Sequence, residues 1–600
     1  MPISTHPDAQ TSIGDKSRNM KNVTLKVNGV SVTVPEGTRI LDAAIKAGFK
    51  VPTLCYMKDL CNESSCRVCV VELKNNRKLM TACSTVVAEG MEVLTNTPKV
   101  RASRKITLEL MLSNHHKDCL SCVRSGNCEL QTLSKEYGCE ANKYEGEMNS
   151  YDVDDVTEYL VRDNNKCILC RRCVAACNKV QTVGVIDAGN RGFATRIASP
   201  FDKTLKDVPC VACGQCINVC PTGALREKDS ISEVEKLLAD TSKTVIVGTA
   251  PAVRAALGEE FGYPIGTDVE GKMVAALKAL GFDKVFDVNM TADMTIMEEG
   301  TEFLSRLNDP NATLPMITSC SPGWVRFIEY NYPDQLEHLS SCKSPQQMFG
   351  AIMKTYYAKK LGIDPKDMAV VTVMPCIAKK FEITRDDQSA AGVPDIDASI
   401  TTRELARMIR NYGIDFKALD PKAQFDDPIG IGSSAGLLFG ATGGVMEAAL
   451  RTIAEVATGE KLENVDFKAV RGTKGIKEAT VTLNGKTINI AVASGLANAR
   501  KIMDEIKAGK SKYHFIEIMC CPGGCVNGGG QPIVDSETRN LIDVRSARAK
   551  VIYRKDKNSA LRKCHENPVV KTLYSEFFGE PNSHKAHEIL HTTYVKRNRF

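Results

Sequence analysis

The alternation of apolar and polar positions predicts short strands and helices in the first part of the chain. One alternating segment predicts a β-hairpin that turns at Asn28 and Gly29, and an apolar stripe over 39–47 predicts a helix directly after it. A second strand-rich segment covers 66–87, and 101–113 has the spacing of an amphipathic helix. This order of a hairpin, a helix and further strands is typical of a small α+β domain.

A different pattern begins near residue 230. Apolar runs that predict buried strands alternate there with helical stretches, with strands at 243–249 and 368–376 and helices at 270–280, 345–361 and 402–411. Strands that alternate with helices are typical of an α/β domain. The residues after about 555 predict a helical and polar tail.

Charge and hydropathy exclude two classes of partner. The 600 residues carry a net charge of +6 with acidic and basic residues interspersed, so no basic block predicts a nucleic acid surface. No run of about 18 apolar residues occurs, so no membrane span is predicted. Residues 1–20 are polar and lack the apolar core of a secretory signal, so we expect a flexible tail on a cytoplasmic protein.

Cysteine is the most informative residue type. The chain has 24 cysteines, and 17 of them lie between Cys55 and Cys220. Oxidised scaffolds are usually short secreted chains, whereas clustered cysteines in a reducing compartment more often bind metal. Metal binding is therefore the working hypothesis.

The run C-x2-C-x2-C-x3-C occurs twice, at 167–177 and 210–220. It is the repeat of bacterial two-cluster ferredoxins, in which the fourth cysteine of each run binds the other cluster. The repeat predicts two [4Fe–4S] clusters, one held by Cys167, Cys170, Cys173 and Cys220, and one held by Cys177, Cys210, Cys213 and Cys216. Zinc has no need of four thiols at this repeated spacing.

A third group of cysteines follows the predicted hairpin and helix. Cys55, Cys66, Cys69 and Cys83 have the order expected of a plant-type [2Fe–2S] cluster in a β-grasp domain. Cys61 also matches the plant ferredoxin spacing to Cys66 and Cys69, so the first ligand is either Cys55 or Cys61.

A histidine opens the fourth group. His115 precedes Cys119, Cys122 and Cys128 in the order H-x3-C-x2-C-x5-C, which predicts a third [4Fe–4S] cluster. A neutral imidazole in place of a thiolate makes a cluster less negative and raises its reduction potential. Four clusters form a path for electrons, and that path needs a site where the electrons are used.

Three motifs in the second half of the chain point to that site. They read TSCSPGW at 318–324, MPCIAKKFE at 374–382 and IEIMCCPGGCVNGGGQP at 516–532. With them the sequence resembles the [FeFe] hydrogenases over nearly all of residues 21–600. The N-terminal modules resemble those of the large clostridial-type members and of the electron-conduit subunit of respiratory NADH dehydrogenase. That likeness favours Cys55 over Cys61 and supports His115 as a ligand.

The resemblance implies an H-cluster, in which a [4Fe–4S] cubane is bridged by one cysteine to a di-iron unit with CO, CN⁻ and azadithiolate. It implies cubane ligands at Cys376, Cys521 and Cys525, with Cys525 as the bridge. Lys379 would bind a cyanide through a charge-assisted hydrogen bond, and Glu382 belongs to the same motif. The implied lining residues of the pocket are Ala250, Pro251, Gln346, Met374, Phe439 and Met519.

The resemblance also implies a proton path to the buried site. Glu299, Glu302 and Arg306 have the helical spacing i, i+3 and i+7, so they share one face. By itself such a face is usually solvated surface. In the family these positions, with a serine matching Ser340, carry protons from the surface to the cysteine at Cys320, and the azadithiolate amine is the local base.

The match to the family breaks in the first motif. The family reads Thr-Ser-Cys-Cys-Pro, where the first cysteine passes the proton and the second is the fourth cubane ligand. Here Cys320 stands at the relay position and Ser321 at the ligand position. Three outcomes stay open: Ser321 binds as an alkoxide, Cys320 becomes the ligand, or a nearby extra thiol, Cys520 or Cys342, contributes.

The resemblance implies reversible reduction of protons to H₂, with ferredoxin as the electron carrier and with hydrogenase maturation factors as further partners. A sensory or low-activity hydrogenase with an altered relay is one alternative. A non-catalytic iron–sulfur assembly relative is another, although such relatives are expected to lack Lys379, Glu382 and the [2Fe–2S] module. No glycine-rich nucleotide motif precedes a helix, so direct use of NAD is not expected.

These predictions define a multidomain α+β and α/β chain. The first expected segments are a tail at 1–20, a [2Fe–2S] β-grasp domain at 21–100, and a domain at 101–150 for the [4Fe–4S] cluster with one histidine and three cysteine ligands. A ferredoxin-like domain with two [4Fe–4S] clusters is expected at 151–228. A two-lobed α/β H-cluster domain is expected at 229–600, and it includes a C-terminal tail resembling a small subunit.

Overall fold

The structure is a computed structural model that describes residues 21–427 and 429–599. The tail predicted at 1–20 lies outside the described residues. The first domain contains β1 (Asn22–Val27), β2 (Val30–Pro35), α1 (Ile40–Lys46), β3 (Val70–Leu73), β4 (Leu79–Thr81) and β5 (Glu92–Leu94). The strands form one sheet in the order β2-β1-β5-β3-β4. Asn28 and Gly29 both have positive φ, 48° and 85°, as a two-residue hairpin turn of the type I′ class requires. The predicted hairpin and helix are confirmed.

Short elements follow, and most of them position cysteines. They are α2 (Pro98–Ser113), α3 (Glu129–Glu136), β6 (Leu160–Arg162), α4 (Arg172–Ala175), β7 (Asp187–Gly189), β8 (Arg196–Ala198), α5 (Gln215–Asn218) and β9 (Leu225–Glu227). Helix α2 begins after Thr97, whose hydroxyl accepts the Val100 N–H at 3.2 Å and so caps the first turn. Pairs β6-β9 and β7-β8 form two small antiparallel sheets.

The rest of the chain contains eight strands and fifteen helices of the α class among the described residues. The strands are β10 (Thr244–Thr249), β11 (Lys284–Asp287), β12 (Met316–Ile317), β13 (Met368–Met374), β14 (Ala398–Thr401), β15 (Ile476–Leu483), β16 (Lys486–Ser494) and β17 (Phe515–Met519). The helices are α6 (Ile231–Ala239), α7 (Glu270–Ala279), α8 (Asn289–Asn308), α9 (Pro322–Asn331), α10 (Pro345–Ile352), α11 (Ala358–Leu361), α12 (Ala378–Glu382), α13 (Thr402–Asn411), α14 (Ser434–Leu438), α15 (Gly444–Thr458), α16 (Leu496–Lys507), α17 (Ser536–Leu541), α18 (Val544–Asn558), α19 (Pro568–Leu573) and α20 (His584–Leu590).

Two four-stranded sheets form two α/β lobes. The first has the order β11-β10-β13-β14 and is parallel throughout. The second has the order β12-β17-β16-β15, in which only the edge strand β15 is antiparallel. Strand β13 is buried at every position, as expected of a parallel strand that helices cover on both faces. The predicted α/β class is confirmed.

The parallel strands decide where the motifs meet. Strands β10 and β13 end just before Ala250 and Cys376, and strands β12 and β17 end just before the TSCSPGW and CCPGGC segments. The carboxyl ends of parallel strands lie at one edge of a sheet, and ligand sites of open α/β sheets occur at that edge. Four distant segments are therefore brought to one place.

Two helical predictions need a correction. The stretch 345–361 is one continuous run, but a π-helical segment, Met353–Tyr357, separates α10 from α11. The tail is helical but is not simply polar, because Leu573 and Leu590 are buried in the core of the first lobe. Its average composition is polar, and helical periodicity collects its few apolar side chains on one face. Among the described residues, no helix combines the length and the apolar composition that a membrane crossing needs.

Candidate active site

A buried cavity lies between the carboxyl edges of the two sheets, and all three motifs line it. Cys376, Cys521 and Cys525 stand in its wall. Burial raises the pKa of the Cys376 thiol, and the thiols of Cys521 and Cys525 raise it further. Three thiolates need positive charge to share this space, and the iron ions of a [4Fe–4S] cluster supply that charge while taking thiolates as ligands. The donor set fits a cubane.

Glycines of the third motif allow the backbone to approach this wall closely. Gly524 has φ +92°, and a Cβ there would stand 2.5 Å from the Thr442 nitrogen. A Cβ on Gly528 would stand 1.9 Å from the Pro375 oxygen. Both distances are shorter than any real Cβ contact, so this packing requires glycine.

The predicted lining residues surround the same cavity. Ala250, Pro251, Met374, Phe439 and Met519 supply an apolar wall, and all of them are predicted site residues that the structure brings together. Gln346 also lines the cavity, and its amide oxygen accepts from the Thr372 hydroxyl at 3.0 Å. An apolar shell of this kind excludes water from small uncharged ligands.

Lys379 brings a cation to the cavity. Its Nζ donates to Glu382 Oε2 at 2.8 Å and to Ser344 Oγ at 2.6 Å, and it lies 3.4 Å from the Cys320 carbonyl oxygen. Gln346 Nε2 also donates to Glu382 Oε2, at 3.1 Å. Glu382 therefore orients the ammonium group. Ser344 is not among the predicted site residues, and its only signal in the sequence is its place before Pro345, where α10 begins.

The predicted proton path lies on α8. The hydroxyl of Ser340 donates to Glu302 Oε2 at 2.8 Å, and Arg306 Nη2 donates to Glu302 Oε1 at 2.6 Å. Glu299 is 1% exposed, and among the described residues neither of its carboxylate oxygens has a hydrogen-bond partner, although Ser340 and the Ser319 amide are its polar neighbours. Burial and the neighbouring Glu302 raise the pKa of Glu299 to about 8. This helix face is buried, unlike most charged helix faces.

Three residues that line the cavity bear on the break in the first motif: Cys320, Ser321 and Cys520. The ionisable neighbours of the Cys320 thiol include Glu299, Lys379, Cys525 and Glu517. The Ser321 hydroxyl accepts the Cys520 backbone N–H at 3.1 Å, and both residues line the cavity.

Cys342, which sequence analysis considered as a compensating thiol, lies elsewhere. Its Sγ is 3.8 Å from Glu302 Oε2, so the thiol belongs to the surroundings of the proton path, and Cys342 is absent from the lining of the cavity.

The [2Fe–2S] candidates form one compact group. Cys69 Sγ lies 3.3 Å from Cys83 Sγ, and the thiols of Cys55 and Cys66 are within hydrogen-bonding reach of each other. Cys61 points differently, because its Sγ lies 3.8 Å from the Cys170 carbonyl oxygen.

The two cysteine runs form two separate buried groups, as the crossed ligand pattern requires. One cavity is lined by Cys167, Cys170, Cys173 and Cys220, and another by Cys177, Cys210, Cys213 and Cys216. Cys213 lines both the second of these cavities and the cavity of the three motifs. The ferredoxin-like segment therefore lies directly against the candidate active site.

His115 is 7% exposed, and within the described chain its Nδ1 has no hydrogen-bond partner. Burial lowers its pKa to about 4, so the ring is neutral, as a metal ligand must be. Cys122 and Cys128 are ionisable neighbours, and Gly223 packs on the Cys122 thiol.

The chain combines several groups of thiols with a buried cavity that contains three more. This combination is typical of an oxidoreductase with several iron–sulfur centres. Five family models match the chain: the C-terminal domain of the iron only hydrogenase large subunit at 243–529, the iron hydrogenase small subunit at 542–597, a 2Fe-2S iron–sulfur cluster binding domain at 20–98, the NADH-ubiquinone oxidoreductase-G iron–sulfur binding region at 104–143, and a 4Fe-4S dicluster domain at 166–224.

Known proteins place the chain within one family. It is 50% identical to the NADP-reducing hydrogenase subunit HndD of Solidesulfovibrio fructosivorans, over 97% of this chain and 100% of that one. It is 44% identical to iron hydrogenase 1 of Clostridium pasteurianum, over 96% of this chain and 100% of that one. The chain belongs to the iron-only, or [FeFe], hydrogenases, which reduce protons reversibly to H₂.

Solved structures agree with this assignment. A single-residue variant of the [FeFe]-hydrogenase HydA1 from Chlamydomonas reinhardtii aligns with a TM-score of 0.54 at 41% identity and covers 60% of this chain and 98% of that chain. The alternative of an iron–sulfur assembly relative is less well matched, because Protein NAR1 of Arabidopsis thaliana is 33% identical over 66% of this chain.

Proposed function

We propose that the chain carries out hydrogenase chemistry at an H-cluster held by Cys376, Cys521 and Cys525. The observation that carries this proposal is the convergence of these three thiols and Lys379 on one buried apolar cavity. When bound, the H-cluster with its azadithiolate supplies the centre at which 2H⁺ + 2e⁻ ⇌ H₂ proceeds. The chain holds it, excludes water and delivers protons and electrons.

Lys379 is the residue proposed to anchor one cyanide ligand. An ammonium group held by Glu382 and Ser344 is oriented before any ligand binds, so its charge-assisted hydrogen bond costs little reorganisation. Ala250, Pro251, Gln346, Met374, Phe439 and Met519 are proposed to enclose the di-iron unit.

Protons are proposed to travel along α8. Arg306 is part-exposed and contacts Glu302, Glu302 contacts Ser340, and Ser340 faces Glu299. Cys320 neighbours Glu299 at the inner end, where its thiol would pass a proton into the cavity. A carboxyl group whose pKa is about 8 both gives and takes a proton near neutral pH, which suits Glu299 to this role.

Electrons are proposed to travel through four accessory clusters. The [2Fe–2S] cluster would be held by Cys55, Cys66, Cys69 and Cys83, and the three [4Fe–4S] clusters by the His115 group and by the two crossed groups of the ferredoxin-like segment. The clustering of the Cys55, Cys66, Cys69 and Cys83 thiols, from which Cys61 is turned away, supports Cys55 as the ligand. The orphaned Nδ1 supports His115.

The domain division at 21–100, 101–150, 151–228 and 229–600 is part of the same proposal, with one cluster module for each of the first two segments. A reducing compartment, the cytoplasm, is proposed as the location, which agrees with 24 free cysteines. Maturation factors would supply the di-iron unit.

Ferredoxin or a similar low-potential carrier is proposed as the electron partner. A second candidate follows from the relative named as an NADP-reducing hydrogenase subunit. Because this sequence has no glycine-rich nucleotide motif, a separate subunit would then have to bind the nicotinamide cofactor.

The test is anaerobic maturation of the full chain, followed by infrared spectroscopy and H₂ assay. We expect CO and CN⁻ bands and H₂ evolution driven by reduced ferredoxin, whereas Cys376→Ala should lose both. A matured wild-type protein without these bands would contradict the proposal, and normal bands with very low turnover would favour the sensory alternative.

A further inference from the structure

We propose that Cys520 is the fourth thiol ligand of the cubane, in the place that Ser321 leaves without a thiol. This inference rests on the proposed function. Protein-bound [4Fe–4S] clusters of the all-cysteine type take four thiolates, and the cavity offers three from Cys376, Cys521 and Cys525. The candidates for the fourth ligand that line the same cavity are Cys320, Ser321 and Cys520.

The Cys520 thiol lies between Cys521 of the cavity wall and the ferredoxin-like segment. Its Sγ is within hydrogen-bonding reach of the thiols of Cys521 and Cys213, and Gln181 Nε2 lies 3.6 Å away. Cys520 is 4% exposed. The accessory cluster that Cys213 serves already has Cys177, Cys210 and Cys216, so its ligand set is complete without Cys520.

The first motif is built around this thiol. A Cβ on Gly323 would stand 2.8 Å from the Cys520 Sγ, so glycine at this position leaves the space that the thiol occupies. The hydroxyl of Ser321 accepts the N–H of Cys520 itself at 3.1 Å. Positions 321 and 520 are therefore neighbours on one wall. The family has a cysteine where this chain has Ser321, and here the adjacent loop supplies a thiol from Cys520.

The other two candidates have different surroundings. The Ser321 oxygen is engaged by a backbone amide, and a serine alkoxide is a harder and poorer ligand for iron in a thiolate set. The Cys320 thiol has Glu299 and Lys379 among its neighbours, which places it beside the proton path. With Cys520 as ligand, Cys320 stays free for proton transfer.

Ligation is an acid–base step without any change in oxidation state. The Cys520 thiol gives its proton to solvent, and the resulting thiolate forms one Fe–S bond with the cubane. No oxidant or reductant is needed.

The test measures iron and the cubane signal rather than hydrogen turnover. The full chain is produced anaerobically without maturation factors, so that only the iron–sulfur clusters are loaded. Iron is counted per chain, and the reduced clusters are resolved by electron paramagnetic resonance. The variants are Cys520→Ala, Ser321→Ala, Cys320→Ala and the double variant Ser321→Cys with Cys520→Ala.

We expect Cys520→Ala to lose about four iron atoms and the cubane signal, because a site with three thiols holds the cluster weakly. Ser321→Ala and Cys320→Ala should keep both. The double variant should regain the cluster, because it returns the thiol to the neighbouring position.

Several outcomes would overturn the inference. Full iron in Cys520→Ala would do so, as would loss of the cubane in Ser321→Ala or in Cys320→Ala. If Cys520→Ala loses iron and the cubane signal and the double variant does not restore them, the loss comes from damage to the neighbouring accessory cluster instead. Cys376→Ala separates the two proposals: if that variant also keeps all its iron, the cavity holds no cubane and the proposed function fails first.

Discussion

At the scale of single residues, burial decides the chemistry of Glu299. The residue has the spacing of an ordinary charged helix face, yet it is 1% exposed, and burial together with Glu302 raises its pKa to about 8. A protonated carboxyl group at neutral pH can donate a proton inward and be recharged from Glu302 through Ser340. The proposed role of Glu299 in proton transfer therefore depends on its packing.

Glu299→Gln should lower H₂ evolution by about a hundredfold or more, because the amide has the same shape but carries no transferable proton. The infrared bands of the H-cluster and the iron content should stay normal. Thr301→Ala is a matched control on the same helix, since the Thr301 hydroxyl donates only to the Met297 carbonyl at 2.7 Å. Normal turnover in Glu299→Gln would show that protons take another path.

Glu299→Gln should also change how the stability of the folded protein depends on pH. Between the ordinary pKa of 4.5 and about 8, the folded chain holds the Glu299 proton and the unfolded chain does not, so stability falls as pH rises through this window. The slope is at most about 1.4 kcal/mol per pH unit. Thermal unfolding at pH 5 and pH 8 should show a smaller loss of stability at pH 8 in Glu299→Gln than in the wild type.

At the scale of elements, ion pairs of Glu227 with two arginines of α13 join the ferredoxin-like segment to the active-site domain. Glu227 on β9 accepts from Arg403 Nη2 of α13 at 2.7 Å, and Arg403 also donates to the carbonyl oxygens of Gly529 and Gln531. Burial alone would raise the pKa of Glu227, but Arg403 and Arg407 lower it to about 2. This contact holds the ferredoxin-like segment, whose Cys213 lines the cavity, against the active-site domain.

Glu227→Gln should destabilise the protein by about 3–5 kcal/mol, because it leaves the Arg403 charge buried without its partner. We expect a lower unfolding temperature and earlier bleaching of the iron–sulfur absorbance on heating. The exposed Glu233→Gln, on the neighbouring α6, is the control and should match the wild type.

In the wild type this stabilisation is present above about pH 4.5 and is lost as pH falls toward 2. Unchanged thermal behaviour in Glu227→Gln would show that the pair is dispensable.

At the scale of the whole molecule, the thiol groups are arranged as a branched path. Cys55 and Cys66 pack with Cys170 in one apolar cluster, against which Cys128 of the His115 group also packs. Cys173 and Cys216 are ionisable neighbours, which joins the two ferredoxin-like groups, and Cys213 reaches the cavity. Two N-terminal groups therefore meet at the first ferredoxin-like group.

The N-terminal branch gives a paired test. Cys55→Ser should lose about two iron atoms and the [2Fe–2S] signal in electron paramagnetic resonance, because serine is a poorer ligand than the thiolate it replaces. Cys61→Ser should keep both, since the Cys61 thiol lies against the Cys170 carbonyl oxygen. The opposite result in the two variants would assign Cys61 as the ligand.

The local spacing of residues was sufficient to predict part of the fold and part of the candidate cluster sites. The hairpin at Asn28 and Gly29, the α/β class, the crossed cysteine runs and the likeness to [FeFe] hydrogenases all follow from residues close in sequence, because turn geometry, strand periodicity and cluster ligation act over short separations. The burial of Leu573 and Leu590 in the polar tail was not predicted, because it depends on the core against which the tail packs.

The remaining site predictions depend on the tertiary structure. Spacing could not separate Cys55 from Cys61, nor rank Cys342, Cys520 and Ser321, because those choices depend on where each side chain points. Two sheets with parallel central strands bring residues more than two hundred positions apart to one cavity. Cys520 lines that cavity, whereas Cys342 lies outside its lining and beside Glu302. The sequence by itself determined which chemistry the chain carries. The distances and burial that the fold imposes decided which residue stands where that chemistry needs it.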